Sequence, residues 1–328
     1  MRVFGFDAII CIAFSAFFCL FPLSLTAQSV PQEAPPIPVP EKILSGTWGT
    51  KPSQIGIKFL SPDILPETPF CGPGGFAVDA SGTVWITDSI QGCIKIFEPL
   101  GNKQPGFKKE PRIIPVGAKK LGDIALTANA VFVAGVDPNA IIIFDKATGK
   151  EMKRISVPYR SPGRLLAIDE KHIAISETGN GLWLVIDEKS TRYPSEVIEP
   201  IGTSQTLYGT VYDFDPTSRR IVQAPWDIQK GEPEPFALYR APGNARIIFS
   251  RILTMRNSFP LLSTVTASSP TILSLTTFDR EGHPKPLIDL PLQDGPALPS
   301  RWIQGEDGAF YVFSGNLKGF SLERIRIP

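Results

Sequence analysis

The chain has 328 residues, with 33 Lys and Arg against 32 Asp and Glu, a formal charge of +1 that argues against the concentrated basic field of a nucleic-acid or anionic-membrane binder. Hydrophobic residues make up 42%, enough for a large core, so wholesale disorder is excluded. The 33 prolines and 28 glycines argue against long helices, and two histidines argue against a multi-histidine metal centre.

Residues 1–27 read as an export signal: Arg2 supplies the positive end, residues 8–25 are uncharged and apolar, and Ser24, Thr26 and Ala27 offer small residues for cleavage after Ala27. An uncleaved membrane anchor over residues 8–25 is the competing reading, because eighteen apolar residues reach the length that spans a bilayer. Pro22 and the following stretch favour cleavage. Residues 28–41 carry five prolines and read as an extended linker, leaving 42–328 as the folded body. No Asn opens an Asn-x-Ser/Thr sequon, which points to a periplasmic or secreted bacterial protein. The mature chain keeps Cys71 and Cys93, read either as a disulfide formed in an oxidising compartment or as two unrelated buried thiols.

From Gly74 the pattern becomes periodic. In residues 74–98, Phe76 and Val78, Val84 and Ile86, and Ile94 and Ile96 mark three short strands of period two, broken by polar turns containing Gly82 and Gly92. The template returns at 122–145 and 163–187. Shorter strands follow the three units at 111–116, 153–158 and 195–200. A fourth copy covers 210–227 and 235–240, and a last one 302–328. Aligning first strands on Ala77, Ala125, Ala167 and Asp213 gives steps of 48, 42 and 46 residues, and Ile303 lies 90 further on. That gap holds one poorly marked unit, over 250–290. Six units of about 45 residues have the period of four-stranded propeller blades. The expected fold is therefore all-β: a six-bladed β-propeller of four-stranded antiparallel blades. The last unit runs out of chain after three strands, so an N-terminal strand, residues 55–60, is expected to complete the last blade and close the ring.

Pro73, Gly74, Gly75, Phe76 and Asp79, then Gly82, Val84, Trp85 and Asp88, then Ile94 to Phe97, resemble one NHL repeat over about 25 residues. The resemblance implies a six-bladed, TolB-like propeller of the group that includes gluconolactonase-like enzymes, lyases and binding modules. Gluconolactonase-like relatives hold a divalent cation with an Asp of a Pro-Asp-Gly before the inner strand. Here that stretch is Pro73-Gly74-Gly75, without a carboxylate. His172 and His283 lie in different units without ligand spacing and read as surface or turn residues.

A ligand is expected at the axial mouth, near the starts of the inner strands, where Asp123, Arg164, Tyr208, Arg301 and Trp302 are placed. The plainer reading is that Arg164 and Arg301 close the channel by ion pairs and Trp302 is core. Lys103, Lys108, Lys109, Arg112, Lys119 and Lys120 flank an outermost strand, where charge guards an exposed edge. The function expected is an exported binding module for a small ligand or a protein partner, with no nucleic acid, no cofactor and no catalytic constellation. The alternative is a metal-assisted hydrolase or lyase at the axial mouth, which would bring in Ca2+.

Overall fold

The computed structural model describes residues 39–59, 70–101, 106–177, 181–192, 198–202, 206–212, 215–225, 234–254, 260–267, 271–279, 281–291, 302–316 and 318–326. The signal or anchor segment, the expected Pro-rich linker up to Pro38, and Arg301 lie outside them. Among the described residues no helix is long and apolar enough to cross a membrane.

Strand β1 (Glu41–Gly46) leads into a connector containing the short pair β2 (Lys58–Phe59) and β3 (Phe70–Cys71). Blade 1 follows as β4 (Gly75–Val78), β5 (Val84–Asp88), β6 (Cys93–Phe97) and β7 (Arg112–Pro115). Blade 2 is β8 (Lys120–Leu126), β9 (Ala130–Val136), β10 (Ala140–Asp145) and β11 (Glu151–Ser156). Blade 3 is β12 (Pro162–Ala167), β13 (His172–Glu177), β14 (Gly181–Ile186) and β15 (Lys189–Arg192). Blade 4 is β16 (Ile198–Gly202), β17 (Thr206–Tyr212), β18 (Ser218–Pro225) and β19 (Glu234–Arg240). Blade 5 is β20 (Ile247–Thr254), β21 (Pro260–Thr266), β22 (Ile272–Phe278) and β23 (Pro284–Pro291). Blade 6 takes three strands from the C-terminal end, β24 (Trp302–Gln304), β25 (Phe310–Asn316) and β26 (Gly319–Ile325), and its fourth from β1. Each blade is an antiparallel meander, so the chain is a six-bladed β-propeller.

The alternation read from the sequence explains why these sheets stack. In blade 1, Phe76, Val78, Val84 and Ile86 face blade 6, while Ala77 and Trp85, which alternate with them, and Ile94 and Ile96 of the next strand face blade 2. Both faces of a blade are covered, which is why all residues of β4, β5 and β6 are buried. Apolar clusters join every neighbouring pair, 1 to 2, 2 to 3, 3 to 4, 4 to 5, 5 to 6 and 6 back to 1. Each large apolar side chain buried this way contributes about 1.5–3 kcal/mol.

Three strand assignments differ from the sequence reading. The closing strand is not 55–60 but β1, in register Glu41↔Arg324, Leu44↔Leu322 and Gly46↔Phe320. Leu44 inserts into the cluster between blades 6 and 1, and Arg324 pairs with Glu41 at 2.7 Å. Ile55 instead sinks, fully buried, into the same cluster, and Lys58 and Phe59 pair with β3; residue 60 lies outside the described residues. The second difference is the outer strand of blade 3, which is β15 and not 195–200. Asp187 and Glu188 both take positive φ, 46° and 71°, the requirement of a two-residue hairpin turn that brings the chain straight back along β14. Residues 198–202 are thereby released to open blade 4. Third, the stretch aligned on Asp213 is therefore second in its blade, with Asp213 itself outside the described residues.

Candidate functional site

The first strand of each blade lies at one end of its sheet, and β4 touches β8, β8 touches β12, β12 touches β16, β16 touches β20 and β20 touches β24, which lines these strands around the axis. Asp123 on β8 is almost fully buried; its Oδ2 accepts the Leu165 N–H of β12 at 3.0 Å. Gly75 of β4 lets that carboxylate approach, because a Cβ there would lie 2.1 Å from Asp123 Oδ1. Here is a physical reason for Pro73-Gly74-Gly75: blades 1 and 2 meet backbone to backbone. Arg164 on β12 is buried, and its Nη1 donates to the Ile252 carbonyl of β20, two blades on, at 3.0 Å. Its own N–H is held by Ser176 Oγ at 2.7 Å.

Asp123 and Arg164 thus come together at adjoining positions of neighbouring inner strands. The other candidates do not join them. Trp302 lies in the cluster between blades 5 and 6, its Nε1 donating to Ser263 Oγ at 2.8 Å. Tyr208 belongs to β17, a second strand, and packs edge-on against Phe236 at 5.9 Å between blades 4 and 5. Arg301 lies outside the described residues.

The connector between blades 6 and 1 is clamped by a charged pair absent from the sequence reading. Lys95 and Asp88 are fully buried, with Nζ 3.0 Å from Oδ2. Asp88 also accepts the Gly56, Ile90 and Gln91 N–H groups, at 2.8, 3.2 and 2.9 Å. Lys95 donates to the carbonyls of Gln54 and Lys51. Beside them Cys93 is a free, buried thiol whose pKa is pushed up to about 11, first by burial and then by the Asp88 charge. The side chain of Cys71, its expected disulfide partner, lies outside the described residues.

An open concavity occurs on the other face, where the turns between first and second strands and between third and fourth strands gather. A cavity of about 490 Å³ between blades 1 and 2 is lined by Trp85, Ile96, Arg112, Asn129, Asp145 and Lys146, among others. A second, of about 510 Å³, shares Asp79, Ala128 and Lys146 and extends to Glu306 of blade 6. Each falls within the size range of small-ligand sites. Lys146 stands between them, its Nζ 3.2 Å from the Thr127 carbonyl, 3.5 Å from Glu306 Oε2 and 3.8 Å from Asp79 Oδ2. Glu306 Oε2 also accepts the Ala80 N–H at 3.0 Å, which ties blade 6 to blade 1.

Asp79 is held by its own turn: Oδ1 accepts the Ser81 and Thr83 N–H groups at 2.9 and 3.0 Å and the Ser81 hydroxyl at 2.6 Å. Its Oδ2 accepts Trp85 Nε1 at 3.3 Å. The Arg112 guanidinium stacks over the Trp85 ring at 5.6 Å and donates to the carbonyls of Lys146 and Ala147. The groove therefore presents fixed charges of both signs over an apolar floor. The axial expectation missed it. Asp79 and Trp85 lie inside the repeat that the sequence shows best, but Lys146 and Glu306 come from turns 160 residues apart, and nothing local marks their convergence.

No protein-family model matches the chain, and no curated protein matches it. Solved structures do, at low identity. A luciferin-regenerating enzyme aligns with a TM-score of 0.51 at 13% identity, over 88% of this chain and 95% of that one. Hydrazine synthase of Kuenenia stuttgartiensis aligns at 0.50 and 15% identity, over 78% and 77%. A calcium-binding regucalcin from Agrobacterium tumefaciens aligns at 0.49 and 12% identity, over 78% and 91%. At this identity the likeness concerns the fold: the chain is a six-bladed β-propeller similar in architecture to these proteins.

Proposed function

We propose that the chain is an exported binding module whose small polar ligand enters the groove between blades 1, 2 and 6. The observation that supports this reading is the groove itself: two adjoining cavities of about 490 and 510 Å³ sharing Asp79, Ala128 and Lys146. At the axis, by contrast, the buried Arg164 reaches to the blade 5 backbone and Asp123 is engaged by Leu165, which favours a structural use of both. Export rests on the sequence of residues 1–27. The alternative is a metal-assisted hydrolase or lyase at the axial mouth.

Ala128 is exposed and lines both cavities. Ligand-observed NMR of a polar fragment library against the purified protein should give binders that disappear in Ala128→Trp, whose indole fills the groove. Binders that survive Ala128→Trp would move the site elsewhere. Calcium-dependent hydrolysis of a lactone, unaffected by Ala128→Trp, would favour the alternative.

A further inference from the structure

Blade 5 carries a group of metal-ligating side chains that the groove does not use. The turn joining β22 to β23 brings Asp279, Glu281 and His283 together, each with a ligand atom within 4.8 Å of the others. Asp279 Oδ1 accepts the Glu281 and His283 N–H groups at 3.1 and 2.8 Å, which fixes the backbone beneath the three side chains. The turn is also wedged against blade 4. Gly282, at φ +82°, lies where a Cβ would meet the Phe236 carbonyl of β19 at 2.6 Å, so the outer strand of blade 4 backs the turn.

We propose that Asp279, Glu281 and His283 bind one divalent first-row transition ion, of the zinc or copper(II) class, at the surface of blade 5. Asp279 Oδ2 and His283 Nδ1 are 3.3 Å apart. That is about the ligand-to-ligand distance of a tetrahedral site with bonds of about 2.0–2.1 Å. In the structure the two share a hydrogen bond at that distance, and the ion takes the place of its proton. Glu281 is exposed and closes the remaining distance by rotation, and water completes the shell. A mixed nitrogen and oxygen set favours zinc and copper(II) over calcium, which takes six to eight oxygens. Lys285 adds positive charge near Asp279. That opposes a site held by charge alone more than one containing a bond to imidazole nitrogen.

The molecule supplies its own control. His172 faces Asp169 at 3.0 Å in a turn of blade 3, with Glu170 and Lys171 between them in sequence. Among the described residues, Glu170 does not join that Asp and His in a group with ligand atoms within 4.8 Å of one another.

Titration calorimetry of the purified full chain with zinc chloride tests the proposal. The wild type should bind one zinc saturably, His283→Ala should weaken binding at least about tenfold, Glu281→Gln should weaken it measurably, and calcium chloride should give no saturable heat. His172→Ala should leave the affinity unchanged. Circular dichroism checks that each variant is folded. Equal affinities for wild type and His283→Ala, an equal loss in His172→Ala, or no saturable binding would each overturn the site. The proposal stands apart from the groove, since Ala128→Trp should not affect zinc binding.

Discussion

Replacing Lys95 by Met removes the cation that pairs with the Asp88 carboxylate, in a place where both side chains are fully buried. Two losses add. Asp88 is left charged in the interior, compensated only by the Gly56, Ile90 and Gln91 N–H groups. The carbonyls of Lys51 and Gln54 lose their common donor. Breaking one side of a buried pair costs about 3–5 kcal/mol. The three remaining donors place the expected cost near the lower bound, about 3 kcal/mol. Asp88→Asn in the same background removes the uncompensated charge and keeps an acceptor for Gly56, so the double variant should recover part of the loss. Urea unfolding followed by tryptophan fluorescence gives both values, and a double-mutant cycle gives the coupling. A cost below about 1 kcal/mol for Lys95→Met, or a double variant less stable than the single one, would refute the reasoning.

Two further predictions follow from packing and ionisation. Gly75→Ala should destabilise the protein by about 1–3 kcal/mol in urea, because the new Cβ would sit 2.1 Å from Asp123 Oδ1 and 2.8 Å from the Asp123 Cα; a neutral outcome would mean that blades 1 and 2 do not approach there. Alkali should weaken the fold before the native thiol ionises. Cys93 is raised from 9.0 to about 11 and Tyr159 and Tyr311 are raised above 10.0, in each case first by burial. The unfolded chain therefore loses these protons at lower pH than the native one, and stability falls as pH rises from about 9 through about 11. Denaturant unfolding at a series of pH values measures this, and a flat profile over that window would contradict it.

The propeller was legible where the chain alternates strictly. Phe76 and Val78 against Ala77, and Val84 and Ile86 against Trp85, divide between two neighbouring blade interfaces, so the period seen in sequence is the packing itself. The weakly marked fifth unit also falls close to its expected place, at Ile247–Pro291. Misplacements came from chemistry that pattern does not carry. The Asp187–Glu188 turn takes two positive φ values without the Asn-Gly or Asp-Gly pair that usually announces them, so the boundary between blades 3 and 4 was shifted. Residues 55–60 alternate better than the closing strand Glu41–Gly46, but Ile55 is drawn into the core by the Asp88 and Lys95 clamp around it. The groove was illegible for another reason: Lys146, Glu306 and Asp79 meet only because blade 6 returns to blade 1 and beside blade 2.

Ring closure is thus the premise of both the fold and the groove, and amide hydrogen exchange read by mass spectrometry tests it directly. The account predicts that Leu44 to Gly46 are protected, together with their partners Phe320 to Leu322, and lose protection in the same cooperative step as β25. Exchange of residues 41–46 at the rate of an unstructured chain, with 319–325 behaving as an open edge, would contradict it.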